Sequence, residues 1–332
     1  MYWYEDKASK HPVVLSTRVR FARNLKDVPF PSRLDAEGRK KVSQKLQAAF
    51  EGYRFFDFEK LSDFEKLAYG ETHLCSMEFA KADSSGRGLL VNEDNSVFIM
   101  VNEEDHLRIQ AIVSGFDTQK ALEAANKADE LFLKECSAAF SPKYGFLTAC
   151  PTNLGCAMRV SCMVHLPALT MAKKLPALIK ATDQLGFTLR GAFGEGSSPL
   201  GSIYQISNKS SFNRSEEEIA EATKKLIEEI SQSELSCRKS LYQDSPLVLE
   251  DKIYRSLGIL KYQRRISYSE FIEKWSDLRL GFSLDLKGLP RNDVLDRLLV
   301  ELMQARLCLE DMRCTDPDTR DSVRSEKLRR AL

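Results

Sequence analysis

The chain has 332 residues, enough for two domains with separate cores. Its 49 Lys and Arg against 48 Asp and Glu leave a formal net charge of +1, so no global field draws it to nucleic acid or to an anionic membrane. The opening "MYWYEDKASKHPVV" lacks an apolar leader core and no run approaches the roughly 18 apolar residues of a membrane span, so a soluble cytoplasmic protein with no membrane and no direct nucleic-acid partner is expected.

"PVVLSTRVRFARN" alternates as a strand running into a turn, and "DAEGRKKVSQKLQAAF" carries Val42, Leu46 and Phe50 at helical spacing. "GLLVNEDNSVFIMVN" reads as a β-hairpin, which "EEDHLRIQAIVSG" leaves as a short helix or turn. A helix is expected over residues 117 to 139, with Leu122, Ala125, Asp129 and Phe132 showing both of its faces. Residues 143 to 206 read as strands, "YGFLTA", "AMRVSCMVHL", "GFTLRGAF" and "GSIYQIS", with one helix around 167 to 185. Links between the later strands are too short for parallel crossovers, so antiparallel pairing is expected.

Ser215 and Glu218 form a capping-box pattern ahead of a long amphipathic helix. Beyond residue 240 the strand signal ends, and 246–260, 268–280 and 291–313 carry helical Leu and Ile stripes. The expected fold is therefore α+β, with an antiparallel sheet flanked by helices over residues 12–240 and an all-α module over 241–332.

The eight cysteines include no CxxC pair and there are only four histidines, which argues against zinc and against a secreted disulfide framework. Most cysteines are expected to be reduced and buried. Arg18 and Arg20 stand two apart on a strand and project from one face, as a solvated strand surface or as a cradle for a multiply charged anion. Arg108, Arg159 and Arg190 sit at or beside other strands, and five guanidinium groups on one surface would suit a triphosphate. "RGAFGEG" is glycine-rich but has no Gly-Lys-Ser/Thr, and the HRD and DFG motifs of protein kinases are missing. "NEEDHLR" reads either as a helix start capped by Asn102 or as a carboxylate site for a cationic substrate. His73, His11 and His165 give weaker signals, and Cys150 could be nucleophile, ligand or core.

Taken in order, "STRVRFARN", "NEEDHLRIQ", "GFLTACPTNLG", "MVHLPAL", "RGAFGEGS" and "GSIYQISN" resemble the guanidino-phosphotransferases, the phosphagen-kinase family, over residues 12 to 330. Creatine and arginine kinases carry a helical domain before the first arginine motif. Here that motif begins at Ser16 and a helical module follows the catalytic core, which resembles the branch that phosphorylates arginine side chains of proteins.

The resemblance implies ATP and Mg2+ as cofactors. Arg18, Arg20, Arg108, Arg159 and Arg190 would clamp the phosphates, with Ser16, Thr17, Val19 and His73 around them. The segment Val160, Ser161, Cys162 and Met163 and the loop Gly191, Ala192, Phe193, Gly194 and Glu195 would complete the nucleotide site. Glu104 would be the catalytic carboxylate, while Glu195 and Cys150 would hold the substrate guanidinium. No dedicated metal cage is expected; phosphates and water would supply most magnesium ligands.

Cys156 and Ala157 stand where the family usually has Thr and Gly, and Val160 and Cys162 replace an Ala and a Val. In "RDSVRS", Arg320, Asp321 and Arg324 match a regulatory phosphoarginine-binding element in which Ser325 replaces an Ala. The resemblance further implies a homodimer, protein substrates with exposed arginines, a zinc-containing activator protein, a Clp-type ATPase and protease, and a stress-gene repressor as partners. The alternatives are a kinase for a small guanidine and a non-catalytic regulator that binds phosphoarginine or a repressor.

Overall fold

The computed structural model describes residues 2–6, 11–192 and 199–332. In chain order the strands are β1 (Val14–Arg23), β2 (Arg54–Asp57), β3 (Gly88–Val91), β4 (Val97–Val101), β5 (Leu107–Ser114), β6 (Phe140–Ser141), β7 (Gly145–Phe146), β8 (Met158–His165), β9 (Phe187–Gly191) and β10 (Ile203–Asn208). Helices α1 (Ala36–Ala49), α2 (Asp63–Glu71), α3 (Met77–Lys81), α4 (Thr118–Glu135), α5 (Pro167–Met171) and α6 (Leu175–Gln184) are interspersed with them. After the last strand come α7 (Glu216–Asp244), α8 (Pro246–Tyr262), α9 (Tyr268–Ser283), α10 (Asn292–Glu301), α11 (Gln304–Glu310) and α12 (Pro317–Ala331). The sheet order is β2-β3-β4-β5-β1-β8-β10-β9, and β6 and β7 form a separate pair.

The chain divides into two compact units, one containing Ser16–Ser161 and Ser207–Lys225, the other Tyr4–Leu15, Cys162–Ile206 and Leu226–Leu332. In the first unit, β2, β3, β4 and β5 pair as successive antiparallel neighbours except that β5 returns to β1, where Arg20 faces Gln110 and Ala22 faces Arg108. Alternation then sorts the side chains. Val19, Phe21, Ile109, Ala111, Ile99 and Val160 enter one core with Val42 and Leu46 of α1 and Ala121, Ala125 and Phe132 of α4. The even-numbered residues Arg18, Arg20, Arg108 and Gln110 are left for the opposite face.

Local signals explain where the helices begin. Asp35 caps α1 by accepting from the Gly38 N–H, Ser62 and Glu65 form a capping box on α2, and Asp117 accepts from the Lys120 N–H at the start of α4. At α7, Ser215 Oγ accepts from the Glu218 N–H and Glu218 returns the contact to the Ser215 N–H.

In the second unit, Glu234 and Arg238 form a buried ion pair on α7 at 2.7 Å. Glu234 also accepts both N–H groups of Ala168 and Leu169 at the start of α5, each at 3.0 Å. Arg238 and Arg279 both donate to the Pro12 carbonyl, and Trp275 is fully buried with its Nε1–H on the Leu295 carbonyl. Buried charges with their hydrogen bonds supplied in this way fix a unique packing.

Four expectations are revised. The stretch after the hairpin is no helix start: Asn102 has a left-handed φ of 58°, its N–H closes on the His106 carbonyl at 2.9 Å, and β5 follows at once. Its side chain is spent on the Arg39 and Gly86 carbonyls. Of "YGFLTA" only Gly145–Phe146 pairs as strand, and the helix expected around 167 to 185 is two, α5 and α6. The helix expected over 291–313 is likewise two, and the charged tail folds as α12, capped by Asp316 with Pro317 at its first position.

Candidate active site

On the polar face of the first unit's sheet, Arg18 Nε donates to Ser161 Oγ at 3.2 Å and Arg18 Nη1 to Gln110 Oε1 at 3.3 Å. Gln110 Nε2 in turn donates to the His73 and Leu74 carbonyls at 2.8 and 3.1 Å. This brings the His73 loop against the arginines. Burial first, and then the Arg18 charge, push the His73 imidazole down to about 3, so it is a neutral wall of the site.

Arg20 carries the strongest signal. Its Nε and Nη2 are sealed from solvent and have no hydrogen-bond partner among the described residues. Burial, then the like charges of Arg18, Arg108 and Arg159, drive its pKa well down, with Glu103 alone opposing. A guanidinium held so against its own solvation is poised for an anion that the folded chain does not itself supply. Four cations converging on buried donors fit a polyphosphate.

Glu103, which the sequence reading passed over, is the carboxylate inside this cluster. It accepts from Arg108 Nη1 at 2.6 Å and from Ser76 Oγ at 2.7 Å. Burial works to raise its pKa, but the Arg108 charge, the two hydrogen bonds and Arg20 outweigh that and hold it below the usual carboxylate range. Glu104, the next residue, is exposed, and its pKa is raised by burial of part of the carboxyl and then by Asp105 and Glu103, against Arg108. Adjacent acids in one tight turn thus point to different tasks, one among the arginines and one toward solvent.

Cys150 is half-buried, with Sγ 3.0 Å from Thr152 Oγ1. Its loop is tied to the acid turn, because Asp105 Oδ1 accepts the Ala149 N–H at 2.7 Å and Asn24 Nδ2 at 2.6 Å. Glu104 and Cys150 therefore flank one hydrogen bond, Asp105 to Ala149.

Other expected residues are placed differently. Ser16 is buried opposite Ser114, Thr17 Oγ1 donates to the Gly115 carbonyl at 2.8 Å, and Val19 and Val160 have their side chains in the core. Cys162 and Met163 are buried in the second unit, where Arg190 is exposed at the end of β9 beside Gly191 and Ala192. Phe193, Gly194 and Glu195 lie outside the described residues. Arg324 is buried, and donates to the Ile266 and Leu302 carbonyls and to Asp321 at 2.5 Å; Arg320 and Asp321 are half-buried. Among the described residues no group of three or more His, Cys, Asp or Glu converges as a metal cage.

The family model for the C-terminal catalytic domain of ATP:guanido phosphotransferase matches residues 36–237, and that for the protein-arginine kinase McsB C-terminal domain matches residues 246–332. A protein-arginine kinase of Bacillus pumilus is 38% identical over 99% of this chain and 93% of its own length. One of Pelotomaculum thermopropionicum is 37% identical over 99% and 95%. Among solved structures, a lombricine kinase superposes with a TM-score of 0.62 at 20% identity, covering 70% of this chain and 68% of that one. The duplicated taurocyamine kinase of Schistosoma mansoni with bound transition-state analog components gives 0.61 at 23%, covering 70% and 35%. These two likenesses show the phosphagen-kinase fold.

Proposed function

The chain belongs to the ATP:guanido phosphotransferases, and from that premise we propose that it is an ATP-dependent protein-arginine kinase, transferring the γ-phosphoryl group to arginine guanidinium groups of proteins. The observation that carries this is Arg20, whose Nε and Nη2 are buried with no hydrogen-bond partner among the described residues, set among Arg18, Arg108 and Arg159 next to a turn that presents Glu104. The full-length relatives named protein-arginine kinase, and the match of the helical module to their C-terminal domain, favour a protein acceptor over a small guanidine.

In the reaction the arginine cluster holds and orients the phosphates, and Arg108 is kept in place by Glu103. Glu104 accepts the proton the guanidinium loses as its nitrogen bonds to phosphorus and the bond to the ADP oxygen breaks. Burial and neighbouring acids raise its pKa, which makes it a better base than a free glutamate. Cys150, half-buried beside that turn, grips the acceptor guanidinium, and Arg190 and Glu195 serve as the sequence motif implies. Positioning and charge stabilisation carry most of such a transfer. Magnesium accompanies ATP and offsets phosphate charge.

Further readings rest on kinship and surface. The boundary at residues 240/241 is supported by family models that end at 237 and begin at 246. A homodimer through the helical module is supported by Leu247, Val248 and Tyr262, exposed on α8. No helix among the described residues is long and apolar enough to cross a membrane. A cytoplasmic site of action is proposed from family kinship. A zinc-containing activator, a Clp-type ATPase and protease, a stress-gene repressor, and phosphoarginine at Arg320 and Asp321 are proposed from family kinship alone.

The test is to incubate the purified chain with MgATP and an arginine-rich protein and to look for acid-labile phosphoryl groups. Phosphoarginine in the acceptor is expected; a chain that binds phosphoarginine yet transfers no phosphoryl group would be the regulator instead.

A further inference from the structure

The acid turn at residues 102–106 and the Cys150 loop come from distant parts of the chain, and one carboxamide joins them. Asn24, the residue after β1, is 1% exposed. Its Oδ1 accepts the His106 N–H at 2.9 Å; its Nδ2 donates to Asp105 Oδ1 at 2.6 Å and to the Leu147 carbonyl at 3.0 Å. Its own carbonyl accepts the Ala139 N–H at 2.8 Å. Asp105 closes the triangle by accepting the Ala149 N–H at 2.7 Å.

The turn is braced from outside by His106, whose Nδ1 accepts the Leu25 N–H at 3.0 Å and whose Nε2 meets the Pro29 carbonyl at 2.8 Å. His106 therefore fixes the turn to the end of β1, whereas among the described residues the side-chain hydrogen bonds linking that turn to the Cys150 loop run through Asn24 and Asp105. The geometry requires one acceptor and two donors on a single short side chain, which among residues of this size only asparagine offers. A carboxylate of the same shape would lose both donors and press a second negative charge on Asp105.

We propose that Asn24 is a positioning residue that sets the separation of Glu104 and Cys150, and so the fit of the acceptor guanidinium, without touching the nucleotide. Buried networks with every member satisfied hold their geometry stiffly, and this one sits a single residue away from each reacting side chain. The inference rests on the protein-arginine kinase reading.

The experiment compares wild type, Asn24→Ala, Asn24→Ser and Asn24→Asp on an arginine-rich protein, with KM measured separately for ATP and for acceptor. Asn24→Ala and Asn24→Asp are expected to lose about a hundredfold in kcat, the scale of an ångström-sized misplacement, and to raise the acceptor KM. Asn24→Ser, which keeps a smaller polar group, should fall between them and wild type, and the ATP KM should stay within about twofold throughout, which also certifies folding. An Asn24→Asp variant with near wild-type kcat would overturn the proposal by showing that shape alone suffices. So would ATP and acceptor KM rising together in step with a lowered Tm. Wild type inactive on protein arginine would instead refute the underlying reading, so the two failures are distinct.

Discussion

Arg108 Nη1 lies 2.6 Å from Glu103 Oε2, an ion pair with both side chains largely buried, at the edge of a cluster in which Arg18, Arg108 and Arg159 bear on Arg20 with like charge. Glu103 is thus the counter-charge of a site otherwise assembled against electrostatic repulsion. Glu103→Gln is expected to raise the ATP KM by about tenfold, as Arg108 loses a charge-assisted hydrogen bond that aims it.

The same pair carries a pH signature. A carboxyl whose pKa is lowered on folding adds stability that is present above its unfolded value, near 4.3 for Glu, and is lost as the pH falls through the lower folded value. In thermal melts, wild type should exceed Glu103→Gln at neutral pH and the two curves should converge only below about pH 4. Curves that converge well above that range would show that the carboxylate is not held low.

Arg20 makes the opposite prediction. Replacing by Met a guanidinium whose buried Nε and Nη2 have no hydrogen-bond partner among the described residues should stabilise the nucleotide-free protein, by about 1–3 kcal/mol, the cost of leaving buried polar groups unsatisfied. The same Arg20→Met variant should bind ATP at least about tenfold more weakly. A lower Tm with unchanged ATP affinity would mean that Arg20 is structural.

Ala157 has a φ of 53° and is 4% exposed, immediately before β8. Glycine adopts that conformation without the clash an L side chain meets, though it also loses more freedom on folding. Ala157→Gly is accordingly expected to stabilise by about 0.5–1 kcal/mol, a rise in Tm of roughly 1–3 °C by calorimetry. No change, or a fall, would show that the loop has relaxed around the alanine.

The arginine face was legible because β1 alternates: once "STRVRFARN" is a strand, Arg18 and Arg20 share a side and Val19 and Phe21 share the other. Gln110 could have been found by the same rule, two residues after Arg108. Arg23, the odd-numbered member, shows the limit of such reasoning. It lies on the core side, fully buried, 2.7 Å from Asp129 on α4 and stacked on Phe146 at 3.6 Å, and nothing local in the sequence announces either partner.

The acid turn is ambiguous in the sequence for a related reason. Asn followed by acids is both a helix start and a tight β-turn, and the choice was made by Arg39 and Gly86, whose carbonyls take the Asn102 amide. Which of two adjacent glutamates joins the arginines was likewise settled by distant Ser76. The C-terminal helices were readable from their stripes, but the break at Leu302–Met303 and the burial of Arg324 arise from packing among helices far apart in sequence.

The most direct test of protein-arginine phosphorylation offers an arginine-rich protein and free arginine to the same enzyme with MgATP, follows both by phosphorus NMR, and repeats the assay with Glu104→Gln. Phosphoarginine should form on the protein and not on the free amino acid, and the variant should lose at least about a hundredfold of that rate, the low end of what a placed acid–base group supplies. Phosphorylation of free arginine alone, or full activity of Glu104→Gln, would contradict it.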